Sequence, residues 1–161
     1  MSLAASLDGA TLYAAADGMI WSIPLSGGAP AKFHAGDAVA LEPDGQSLLI
    51  QLIQPVATKL VRVALKGGAE QEIPLNGPAP ISNYPISTGG IRDGRLAVVL
   101  APRESWYFDP GIVDLKTGRL SRIPVDYFGD CRFVTWLPHG QILASMAEIR
   151  SSIWKFTPEK R

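Results

Sequence analysis

Two histidines, His34 and His139, and a single cysteine, Cys131, are the chain's whole supply of side chains that ligate soft metals or titrate near neutrality. A Ser-His-Asp triad or a zinc site would have to recruit one of those histidines. Neither sits in a supporting pattern, because the sequence holds no His-Glu-x-x-His, no Gly-x-Ser-x-Gly and no second cysteine at ligand spacing. No catalytic residue, metal or cofactor is therefore expected, and a lone cysteine excludes an intrachain disulfide. Acid–base chemistry would need two carboxylates held close together. The nearest candidates are Asp37 and Asp130, each following a glycine where an extended run begins, in Gly36-Asp37 and Gly129-Asp130. They either face a central channel or close the local corner through a bond to their own backbone. The second is expected, since Asp commonly bonds its own backbone at such corners.

Binding chemistry is better represented. Pro102-Arg103-Glu104-Ser105-Trp106-Tyr107-Phe108-Asp109-Pro110 puts three adjacent aromatic rings beside an arginine, and Tyr127-Phe128-Gly129-Asp130 follows in the next long connection. Side chains alternate sides along an extended chain, so three neighbouring rings cannot all enter one core. At least one is left to a seam between sheets, to solvent or to a partner, and Trp, Tyr and Arg are the residues that dominate binding hot spots. The candidate ligand- or partner-binding set is Arg103, Trp106, Tyr107, Phe108, Tyr127 and Asp130.

These residues must be positioned by strands. Pro occurs 13 times and Gly 16 times, leaving few windows for an uninterrupted helix. Alternating apolar runs lie between turn signals instead, and the pattern repeats. Leu7-Asp8-Gly9, Glu42-Pro43-Asp44-Gly45, Arg92-Asp93-Gly94 and Leu137-Pro138-His139-Gly140 mark one hairpin; Gly27-Gly28, Gly67-Gly68 and Thr117-Gly118 mark another. Repeats of roughly 40–50 residues with four strands each are the pattern of propeller blades. The expected fold is all-β, with blades of four antiparallel strands in about four units, approximately 2–35, 36–77, 78–128 and 129–157, within one domain spanning 1–161. The count is below that of a complete ring, so a partial propeller is expected. Strand direction reverses at every turn, which places the short hairpins at one end of the blades and the long connections Ile53 to Thr58, Gly77 to Tyr84, Ala101 to Pro110 and Asp126 to Asp130 at the other. Binding is expected at that loop end. Trp21 and Trp154 occupy matching third-strand positions, in Ile20-Trp21-Ser22-Ile23 and Ile153-Trp154-Lys155-Phe156. Both are expected to fill seams between blades, which would make Trp154→Ala cost about 3–5 kcal/mol.

Composition bounds the partners. The chain has 161 residues, 47% of them hydrophobic and 19% charged, which suits a folded domain with a sizeable core. Fifteen basic residues balance fifteen acidic ones, so nothing draws the chain to nucleic acid, and Gln51, Gln54, Lys59 and Arg62 interrupt the apolar runs before membrane-spanning length. The chain is expected to be soluble without membrane insertion, in the cytoplasm or outside it. Met1-Ser2-Leu3 enters the first strand at once, and Glu159-Lys160-Arg161 closes on a charged tail. These ends suggest the C-terminal part of a larger protein, with exposed blade edges available for homodimerisation.

The hairpin residues and the strand-plus-turn Ile20 to Gly28, echoed in Leu60 to Gly68, resemble the TolB-like, WD40-like β-propeller repeat, with its Ser-Pro-Asp-Gly hairpin and its "IWxIxLxGG" strand. The resemblance covers nearly the whole chain and implies a non-enzymatic binding, sensor or protein-interaction module of a bacterial signalling protein. It is also similar to propellers that follow a eukaryotic-like serine/threonine kinase domain. A hydrolase or lyase working on the propeller face is the alternative of a different class, and any kinase chemistry would belong to sequence outside this chain.

Overall fold

The computed structural model describes residues 2–148, 150 and 152–155. Three four-stranded antiparallel sheets follow one another, each in simple sequence order. The first comprises β1 (Ser2–Ala5), β2 (Thr11–Ala16), β3 (Met19–Pro24) and β4 (Ala31–Ala35); the second β5 (Ala38–Leu41), β6 (Ser47–Ile53), β7 (Thr58–Ala64) and β8 (Gln71–Ile73). The third comprises β9 (Ile91–Arg92), β10 (Arg95–Leu100), β11 (Asp109–Asp114) and β12 (Leu120–Arg122), and a fourth, two-stranded sheet pairs β13 (Asp130–Trp136) with β14 (Ile142–Ala147). Among the described residues the only helical elements are 3-10 turns at Thr88–Gly90 and Pro138–Gly140, and no helix is long and apolar enough to cross a membrane.

Strand alternation explains how the sheets stack. In β10, Leu96, Val98 and Leu100 join the core cluster shared with the second sheet, while Ala97 and Val99 join the cluster shared with the fourth. In β6, Leu48 and Ile50 face the first sheet and Leu49 faces the third. A strand covered on both faces has no place for a polar residue, and β6 and β10 accordingly read as continuous apolar runs broken once, by Gln51. Sheets buried face to face in series, each built of hairpins, are blades of a propeller. The terminal sheets differ: β2 is buried on alternate residues only, and β14 is at most half-buried, with Ile142, Ala144 and Met146 packed against the core. The register Leu3↔Ala14↔Trp21 and Ala5↔Leu12↔Ile23 collects these six residues on the outer face of the first blade, away from the seam that Tyr13, Ala15 and Ile20 enter. Across β1, β2 and β3 these positions are apolar, and Lys32 of β4 joins them opposite Trp21.

Gln51 accounts for an irregularity in the third blade. Its innermost strand is split: residues 80–82 bond to the Val99–Ala101 end of β10, β9 pairs with Arg95–Leu96, and residues 83–90 leave the sheet between them. The fully buried Gln51 pins this excursion, its Nε2 donating to Ser82 O and Tyr84 O at 3.1 Å each and its Oε1 accepting from Ile86 N at 3.0 Å. Ser2 Oγ stands within hydrogen-bond reach of Val39 O at 2.9 Å and Ile86 O at 3.2 Å, which share its one proton, and Thr88 Oγ1 accepts from Leu41 N. The excursion therefore satisfies its backbone through side chains of the neighbouring blades instead of through a ladder.

Three expectations need correction. The repeat pattern places a third strand of the fourth unit at Ser152 to Phe156, but Ser152–Lys155 lie outside every sheet, and Phe156 falls outside the described residues. Trp154 is 88% exposed and Ile153 fully so, which removes the expected seam-filling ring. The reason is local: β3 is held between β2 and β4, whereas among the described residues the tail segment has only β14 beside it and no fourth strand closes over it. Trp21 is half-buried on the outer face of the first blade under the Lys32 ammonium, 5.9 Å from the ring centre, and among the described residues no blade covers it.

Candidate functional site

The long connections of the third blade meet as expected at the end opposite its Asp93-Gly94 and Thr117-Gly118 hairpins. Residues 101–108 link β10 to β11, and residues 123–129 link β12 to β13. Between them opens a cavity of about 650 Å³, within the range of small-molecule sites. Its whole lining comes from residues 105–129, so one blade builds it.

The polar floor is set by sheet register. Gly111 pairs with Arg122, and Asp109 lies two residues from Gly111 on the same face, so the carboxylate and the guanidinium are diagonal cross-strand neighbours. Arg122 Nε stands 2.9 Å from Asp109 Oδ2, with the Asp109 side chain 10% exposed and that of Arg122 57%. The contact is an ion pair without a hydrogen bond: among the described residues Oδ2 receives none from any donor, although it is closed to water. A buried carboxylate held by charge alone keeps most of its hydrogen-bonding capacity unspent.

The aromatic wall has its own supports. Tyr107 meets Phe128 edge to face, centroids 4.8 Å apart at 68°. Ser105 Oγ accepts from Tyr107 N at 2.9 Å, holding the turn that delivers the ring. Gly129 is required beneath Tyr127, since a Cβ there would lie 2.5 Å from Tyr127 Cε1 and 2.8 Å from Ala147 O. Phe128 remains 80% exposed and Tyr127 half-exposed at the rim.

Of the six candidate residues, two reach this cavity, Tyr107 and Tyr127. Arg103 turns to a separate cleft of about 420 Å³ shared with Ala57, Thr58 and Leu75, and Trp106 stands in solvent, 97% exposed. Phe108 packs edge to face on Tyr84 in the seam between the third and fourth sheets. Asp130 is buried there too: its Oδ1 accepts from Phe108 N at 2.7 Å, and its Oδ2 lies 2.9 Å from Arg132 Nε. Asp37 acts in the same way, Oδ2 accepting from Ile53 N at 2.6 Å. Both acids thus clamp a distant backbone amide, 16 and 22 residues away, where a local corner bond was expected. Beside Asp130, burial pushes the Cys131 thiol up to about 11, with the Asp130 and Asp109 carboxylates adding to the shift, which makes it a poor nucleophile. His34 is tied to Glu70 at 2.9 Å and His139 sits in an exposed turn at φ 68°.

Asp109 and Arg122 were absent from the candidate set. The signal was the alternation Asp109, Gly111, Val113 opposite Leu120 and Arg122, which puts both charges at one end of a face, and reading it requires the register.

No protein-family model matches the chain, and no curated protein matches it by sequence. Solved structures do. TolB from Acinetobacter baumannii superposes with a TM-score of 0.59 at 16% identity, covering 89% of this chain and 40% of that one. Hydrazine synthase from Kuenenia stuttgartiensis gives 0.61 at 15%, covering 89% and 43%. The β-propeller domain of the trilobed protease from Pyrococcus furiosus, described as having an open velcro topology, gives 0.50 at 13%, covering 91% and 56%. The fold is a TolB-like β-propeller, and the chain spans about half the length of these structures or less.

Proposed function

We propose that this chain is a non-catalytic ligand-binding module, and that the cavity between the two long connections of the third blade is its site. The observation that carries the reading is the Asp109–Arg122 pair, buried on one side and open on the other, beneath a wall of rings held in place by Ser105 and Gly129. Supporting it over a hydrolase or lyase on the propeller face is the engagement of Asp37 and Asp130, each occupied by a backbone amide.

The module also belongs to a larger assembly in this proposal. The outer face of the first blade, with Leu3, Leu12, Trp21 and Ile23, has the composition of the faces that the three internal seams bury. A further blade, from a longer chain or from a second copy, would cover it, as in the C-terminal propeller of a bacterial signalling or sensor protein.

Equilibrium dialysis of the purified chain against a bacterial metabolite extract, read by mass spectrometry, tests the binding role. Compounds concentrated by the native chain and released by the Arg122→Ala, Tyr127→Ala double variant would support it. Equal retention by both proteins, or none by either, would remove the site.

A further inference from the structure

Resting on the reading of this cavity as a binding site, we propose that its ligand is a neutral molecule presenting a vicinal diol on a ring, the chemistry common to pyranose sugars and ribonucleosides. Charge decides first. Asp109 and Arg122 already neutralise each other at 2.9 Å. An anionic ligand drawn to Arg122 would lie against Asp109 and meet the Asp126 carboxylate in the same lining, and a cationic one drawn to Asp109 would lie against the guanidinium, leaving only the exposed Asp126 to attract it. A neutral ligand meets neither penalty.

Hydrogen-bonding capacity decides next. The carboxylate accepts only and the guanidinium donates only. Side by side, they match a partner that donates and accepts at adjacent positions, which is what two neighbouring hydroxyl groups do: one hydroxyl gives its proton to the carboxylate, and the other takes one from Arg122. Oδ2 is closed, so a ligand reaches Asp109 only through the tenth of its side-chain surface that stays open to the cavity, where a hydroxyl would donate to the carboxylate. The rest of the ligand needs an apolar face, because the same lining carries aromatic rings, with Phe128 80% exposed and braced by Tyr107. A sugar ring offers its C–H face to that wall and a nucleoside offers its base. The volume, about 650 Å³, accommodates either.

The test uses methyl α-glucopyranoside, maltotriose, adenosine, 2′-deoxyadenosine and choline as probes in ligand-observed NMR and calorimetry with the full chain. Binding of a sugar or of adenosine, weakened at least tenfold by Arg122→Ala and by Asp109→Asn, is the expected result. If adenosine is the binder, loss of the 2′-hydroxyl should weaken it to a similar degree; if only the sugars bind, the pyranose is the source. Removing Arg122 leaves the buried Asp109 carboxylate without its counter-charge and should lower the thermal midpoint, so Arg122→Ala is compared with the native chain well below that midpoint, where its amide spectrum shows it folded, and Asp109→Asn, which buries no unpaired charge, provides the independent check. Choline binding at the cavity without any diol would overturn this inference and leave the binding role standing, as would a metabolite retained through Arg122 that carries no diol. Failure of every probe to bind overturns the inference, and the dialysis result then decides the binding role separately.

Discussion

Replacing Gln51 by Leu changes side-chain volume little and deletes three hydrogen bonds at once, which makes it a sharp probe of how the third blade is organised. Ser82 O keeps a weak bond from Thr58 Oγ1 at 3.4 Å, so the groups left without a partner are Tyr84 O and Ile86 N. A buried polar group left unpaired costs about 1–3 kcal/mol. Tyr84 is only half-buried and water can reach part of its surroundings, which favours the lower half of the range for its carbonyl. The expected loss is therefore about 2–4 kcal/mol, offset slightly by the transfer of Leu into a dry site. With a urea slope of about 2 kcal/mol/M, the unfolding midpoint should fall by about 1–2 M at unchanged slope. Amide hydrogen exchange at residues 83–90 should accelerate beyond the change in global stability, because the excursion loses its anchor before the sheets open. A Gln51→Leu chain within 0.5 kcal/mol of the native one, with unaltered exchange there, would refute the claim that this side chain holds the split strand.

Three further outcomes follow from the geometry. Gly94 and Gly118 share a left-handed backbone, φ 70° and 74°, but a Cβ at Gly94 meets nothing within 4 Å while one at Gly118 would lie 1.8 Å from Pro74 O; Gly94→Ala should cost about 1–2 kcal/mol and Gly118→Ala clearly more in the same denaturant assay. Cys131, pushed up to about 11 chiefly by burial, binds its proton more tightly in the folded state, so the stability this contributes is fully present below the ordinary thiol pKa and is lost as pH rises toward 11. Urea midpoints measured from pH 8 to 11 should fall more steeply for the native chain than for Cys131→Ala, and iodoacetamide at pH 8 should label Cys131 only after denaturation. Trp154→Ala should change stability by less than about 0.5 kcal/mol, since the ring is 88% exposed; a loss of several kcal/mol would restore the seam role that the repeat pattern suggested.

The hairpins were legible because a tight turn imposes its chemistry on a few adjacent residues. Asp8 and Asp44 accept from the amides two residues ahead, and Gly9, Gly45, Gly94 and Gly140 adopt positive φ, as their spacing indicated. The loop end was legible too, since connection length and strand reversal fix it. Blade contacts were harder. Trp21 and Trp154 occupy equivalent repeat positions, yet what each touches depends on whether a neighbouring sheet exists on that side. The binding set was read from residue type along the loops; of its members, Tyr107 and Tyr127 line the cavity, whereas Phe108 and Asp130 meet partners across a seam. Asp109 and Arg122 come together only through a cross-strand diagonal, a relation between two strands that neither strand's own sequence declares.

The central claim is that residues 105–129 form a ready binding site. Mapping a library of small neutral fragments onto the isotope-labelled chain by two-dimensional amide NMR tests it most directly. The account predicts that binders shift amides within 105–129 and that Arg122→Ala abolishes those shifts; fragments that instead gather in the cleft by Ala57 and Arg103, or on the outer face by Leu3 and Trp21, would contradict it.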